Sequence, residues 1–87
     1  MRNTKAEKAF MAACDRVNMS LPTFNVMLSY VEKYGAERVT GWIEISEERL
    51  PANTSCGARG RYISGIRRRW IEEEQERAQL MIDGDGI

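Results

Sequence analysis

The chain has 87 residues, 43% hydrophobic and 30% charged, with 13 Lys+Arg balanced by 13 Asp+Glu and no histidine. A chain this short buries only about 60–65% of its unfolded surface, so one domain (1–87) with a thin core is expected. It is too apolar for an obligately disordered chain and too charged for a membrane protein. No run approaches the ~18–20 apolar residues of a membrane span and no signal-peptide core opens the sequence, so a cytoplasmic protein with no membrane partner is expected.

Thr4-Lys-Ala-Glu7 has the form of a capping box and predicts a helix from about Lys5 to Asn18. Ala6, Phe10, Ala13 and Val17 fall on one face, with Cys14 at its edge. Ser20-Leu-Pro-Thr23 breaks the pattern, and Pro22 fits only the first turn of a new helix. Phe24, Met27, Leu28, Val31 and Tyr34 then repeat at helical spacing up to Gly35, a C-terminal cap. These two helices are expected to pack as an antiparallel pair.

Residues 36–45 read two ways. Val39, Trp42, Ile43 and Leu50 suit a helix, whereas Val-Thr-Gly-Trp-Ile-Glu-Ile alternates like a strand. A short helix near 36–44 is favoured, because a single strand would have no partner for its backbone groups. Pro51 and Asn53 end that element, and Asn53 or Thr54 is the expected cap of the next. From Ser55 to about Ile82 a heptad seam runs through Cys56, Arg59, Ile63, Ile66, Trp70, Glu73, Arg77 and Leu80. Its apolar middle and charged ends predict a long helix that packs at its centre on the first two helices and protrudes at its C-terminus, leaving 83–87 as a frayed tail. The fold expected is all-α, with three or four helices, the last one long.

The balanced charge hides a division along the chain. Residues 51–70 carry Arg59, Arg61, Arg67, Arg68 and Arg69 and no acid, a net +5, while residues 71–87 carry six acids against Arg77, a net −5. Cations early and acids late in a helix oppose its macrodipole, so the segregation points to a use beyond helix stability. Arg68/Glu72 and Arg69/Glu73 have the spacing of i,i+4 ion pairs.

Catalysis has little support, since general acid–base work near neutral pH most often uses histidine and a cysteine nucleophile needs an adjacent base. Cys56, near a helix start and Arg59, is the one residue with a case for thiolate chemistry; a small buried residue is the plainer reading of it and of Cys14. Two cysteines without histidine cannot make a structural zinc site within one chain, and Asp83-Gly-Asp-Gly is too close to the end for a calcium loop. No catalytic residue, metal, cofactor or small-molecule ligand is expected, and the cysteines are expected to be reduced thiols.

Gly57-Ala-Arg-Gly60, followed by Arg61, Ile63 and Ile66, resembles the KH-domain signature, a Gly-x-x-Gly loop before a helix anchored by isoleucines. The resemblance implies a loop that clamps single-stranded nucleic acid, with Arg59 and Arg61 on the phosphates. The alternative is that the glycines let a helix pass close to its neighbour. Residues 35–44 are also vaguely similar to the recognition helix of a helix-turn-helix, though Gly41 and Trp42 offer little to read base edges.

The expectation is a binding module that inhibits or modulates a larger macromolecular partner, most readily a protein, through the charge-segregated last helix. Its contact residues are Arg59, Arg61, Tyr62, Arg67, Arg68, Arg69, Trp70, Glu72, Glu73 and Glu76. Arginine and aromatic residues dominate binding hot spots. The alternatives are nucleic acid bound by the Arg-rich segment 57–69 and homo-oligomerisation in which the +5 segment of one copy faces the −5 segment of another.

Overall fold

The computed structural model describes residues 4–85, with side chains to residue 79. Four helices and no strand make up this part of the chain: α1 (Lys5–Arg16), α2 (Leu21–Tyr34), α3 (Ala36–Arg49) and α4 (Cys56–Asp85). The all-α expectation holds.

The capping box forms at α1, with Glu7 N–H donating to Thr4 Oγ1 and Thr4 N–H to Glu7 Oε1, each at 3.1 Å. The helix stops at Arg16, short of the expected Asn18, because Asn18 takes a left-handed conformation (φ 49°). The N–H groups of Asn18 and Met19 then close on the carbonyls of Asp15 and Cys14, both at 3.1 Å. This is a Schellman ending, with asparagine where glycine is usual. Pro22 lies in the first turn of α2, as expected. A single residue, Gly35, separates α2 from α3. Its φ of 94° lies where side-chain-bearing residues are strained, so the corner between the two helices depends on it.

Residues 36–45, ambiguous in sequence, belong to α3, which continues to Arg49. Val39, Trp42, Ile43 and Ser46 recur at helical spacing and are buried, which secures the helix against the alternating reading. Its buried hydroxyls bond within the helix: Thr40 Oγ1 donates to the Ala36 carbonyl at 2.7 Å and Ser46 Oγ to that of Ile43 at 2.6 Å. Buried polar groups satisfied this way add no burden to the core.

The expected α1/α2 pair is not the organising contact. The hub is α3, which packs on α1, α2 and α4. Phe10, Ala13 and Cys14 of α1, Met27 of α2, Val39, Trp42 and Ile43 of α3 and Ile63 of α4 form one core. The Phe10 and Phe24 rings stack at 5.9 Å, and Arg16 fastens α1 to α3 through Glu47 at 3.0 Å and Glu44 at 3.7 Å.

The cap of α4 is Ser55, whose Oγ accepts from Ala58 N–H at 3.2 Å. The expected cap, Asn53 or Thr54, falls one or two residues too early, and Thr54 turns its hydroxyl to the Pro51 carbonyl instead. With 30 residues, α4 is roughly 45 Å long at 1.5 Å per residue. It packs chiefly on α3 and on α2, rather than on the first two helices as expected, and is largely exposed from residue 72 to residue 79. It runs through Asp85, so residues 83–85 of the expected tail are helical. Gly84 weakens a helix without breaking it as proline would. Residues 86 and 87 lie outside the described residues.

Candidate functional site

The ten contact residues expected from sequence separate into three groups once α4 is placed. Arg59 is interior. Its side chain is 4% exposed; Nη1 donates to Ser46 Oγ at 3.2 Å and Nη2 to the Pro51 carbonyl at 3.4 Å. It ties α4 to α3 and to the loop before it, and is not available to a partner. Arg67 is half-buried: its guanidinium lies over the Tyr30 ring at 5.0 Å and donates to the Tyr34 hydroxyl at 3.4 Å. The Tyr34 bond is the main reason its pKa is raised above the ordinary arginine value. Arg61, Arg68, Arg69, Glu72, Glu73 and Glu76 are exposed, and Tyr62 and Trp70 are half-buried.

Gly57 and Gly60 sit inside α4 rather than in a loop, and no sheet exists among the described residues, so the Gly-x-x-Gly segment does not form the KH clamp. A Cβ on Gly60 would lie 3.2 Å from Thr23 Cγ2. The glycine permits the close approach of α4 to α2, the plainer of the two readings. The segment vaguely similar to a recognition helix belongs to α3, where Val39, Trp42 and Ile43 are buried and so are not available to read base edges.

Trp70 joins an aromatic cluster drawn from three helices. Its ring is 5.7 Å from Tyr34 of α2 and 6.1 Å from Trp42 of α3, and Tyr34 and Trp42 are 5.4 Å apart. Arg38 caps Trp70 from outside, its guanidinium 4.4 Å from the ring centre, a cation–π contact worth about 0.5–1 kcal/mol at an exposed site. Trp70 is therefore both a partner of the core and part of the surface.

Beside Trp70 a groove of about 320 Å³ opens between α3 and α4. Trp42, Ile45, Tyr62, Ile66 and Trp70 supply its apolar wall, and Arg49, Arg69 and Glu73 its charged rim. This brings four of the expected residues, Tyr62, Arg69, Trp70 and Glu73, to one place. The α3 contributors were missed in sequence, although Trp42, Ile45 and Arg49 follow one edge of a helix, because the helix was expected to end near residue 44 and α3 continues to Arg49. Neither of the expected pairs Arg68/Glu72 and Arg69/Glu73 forms among the described residues, where the ion pairs are Arg16–Glu44, Arg16–Glu47 and Arg77–Glu74.

Comparison with known proteins finds no matching family model, no similar curated protein and no similar solved structure.

The thiols are free. Burial, and secondarily the charge of Asp15, pushes the Cys14 thiol up from 9.0 to about 11, the direction opposite to nucleophilic activation. Cys56 Sγ donates to the Asn18 carbonyl at 3.1 Å, linking the start of α4 to the end of α1. No cluster of three metal-ligating side chains occurs among the described residues, and none of their helices is long and apolar enough to cross a membrane. A second depression, about 280 Å³ between α1 and α2, is lined by Met11, Cys14, Asp15, Met19, Leu21 and Phe24, with Leu21 70% exposed. It has little charge to orient a ligand.

Proposed function

We propose that this protein is a non-enzymatic interaction module that regulates a larger assembly by docking a protein partner in the α3/α4 groove. The observation that supports this reading most is the groove itself, where two tryptophans, a tyrosine and two isoleucines stand within a rim of Arg49, Arg69 and Glu73. Trp, Tyr and Arg are the residues that most often carry binding energy, and a polar rim around an apolar centre is the usual anatomy of an interface. Partner side chains would cover Ile45, Tyr62 and Ile66, while its carboxylates meet Arg49 and Arg69. Arg61 and Arg68 on the outer face of α4 and Glu72 and Glu76 further along it supply longer-range steering.

The nucleic-acid alternative is left with Arg61, Arg68 and Arg69, because Arg59 is enclosed and Arg67 lies on Tyr30. Capture from a native lysate, with and without nuclease, separates the two. Nuclease-resistant capture of a protein, lost in Tyr62→Ala and Arg69→Glu, supports protein docking. Capture abolished by nuclease, or unaffected by both substitutions, overturns it.

A further inference from the structure

We propose that the groove's partner is a second copy of this chain, the two α4 helices crossing antiparallel in a register centred on Ile71. The proposal rests on the docking reading and names its partner. Of the seam expected from sequence, Arg59 and Ile63 are buried, whereas Ile66 and Trp70 are half-buried against the core and also line the open groove with Tyr62, Arg69 and Glu73; Glu76 continues the stripe Tyr62, Ile66, Arg69, Glu73 along α4. Its steps alternate four, three, four, three, and the sequence places Leu80 four positions further on. This is the spacing of a coiled-coil contact line.

Reversed about position 71, the stripe maps onto itself. Arg69 falls opposite Glu73, Ile66 opposite Glu76 and Tyr62 opposite position 80. A two-fold axis through that point makes an isologous contact, in which each residue pairing occurs twice. Arg69 of each copy meets Glu73 of the other, and the exposed cations Arg61, Arg68 and Arg69 of each chain run against the acidic arm of its partner. Arg49, on the α3 side of the same groove, adds a cation on the wall toward which the acidic arm of the second copy is directed.

Two features of the single chain favour this occupant. Arg69 and Glu73 are exposed, one turn apart, yet neither makes an ion pair among the described residues, while the adjacent Glu74 and Arg77 are joined at 2.9 Å. The arm of α4 also extends beyond the helices that pack on its first half, and a second copy would cover it. Charge complementarity thus selects a partner that is acidic where the groove is basic, and this chain's own arm has that character.

Light scattering or sedimentation of the full chain tests the register. At low salt the expected mass is twice 10.0 kDa, falling toward the monomer as salt screens the pairs. Arg69→Glu alone and Glu73→Arg alone each place like charges opposite one another twice, so each is expected to weaken association roughly a hundredfold. The double variant R69E/E73R restores it, and an equimolar mixture of the two single variants forms a mixed dimer. Both positions are exposed, and far-ultraviolet circular dichroism checks that each variant keeps its helices. Failure of the double variant or of the mixture to recover the dimer overturns the register, as does a dimer indifferent to either reversal. A monomer at every salt overturns self-pairing altogether. If that monomer still captures a nuclease-resistant partner in a Tyr62-dependent way, the docking reading survives alone; if capture is also lost, both fail.

Discussion

The two halves of α4 share one backbone and one helical register but differ in almost everything that packing provides. In residues 56–70, Arg59 and Ile63 are buried and Ile66, Arg67 and Trp70 are half-covered, whereas from 72 to 79 every described side chain except Glu74 is exposed. The cause is length. Helices α2 and α3 have 14 residues each and span about 21 Å, less than half the reach of α4. Where the bundle ends, the same seam that buried Ile63 carries Glu73 and Arg77. A helix therefore changes from a packed element to an exposed arm while remaining one continuous helix.

That contrast can be broken by substitution, beginning with the packed half. Ile63→Ala removes a fully enclosed side chain and is expected to lower unfolding stability by about 2–5 kcal/mol, measured by urea denaturation. Gly35→Ala comes next. A side chain at φ 94° and ψ 147°, a region left almost entirely to glycine, costs roughly 1–3 kcal/mol, and the loss should appear in the same titration. Gly65→Ala is smaller and of opposite sign. A Cβ there meets nothing within 4 Å, so helix propensity alone should raise stability by about 0.5–1 kcal/mol. On the arm, Glu72→Ala should stay within about 0.5 kcal/mol of the parent in monomeric conditions. A loss there comparable to that of Ile63→Ala would mean that the arm is part of the core.

Much of the fold was legible because local chemistry and periodicity agreed. Thr4 and Glu7 announced the start of α1, and Phe24 to Tyr34 with Gly35 fixed α2 and its end. The α3 segment was less clear because Val39 to Ile45 satisfies a period of two and a helical period at once. The choice depends on partners outside the segment, and α1, α2 and α4 all supply surfaces for a helix. Arg59 illustrates a second limit. Its place in the seam with Ile63 and Trp70 pointed inward while its charge pointed outward, and the Pro51 carbonyl and Ser46 hydroxyl that receive its Nη atoms come from outside α4. Likewise, half of the groove comes from α3, so no reading confined to the last helix could have drawn its outline.

Hydrogen exchange along α4 tests most directly whether its second half is held by a partner rather than by its own bundle. In the monomer at high salt, amides through about residue 70 should be protected and those of the arm should exchange as a fraying helix does. At low salt and high protein concentration the arm should gain protection while the packed half changes little. Uniform protection of the whole helix in the dilute monomer, or an arm that exchanges rapidly under every condition, would contradict the account.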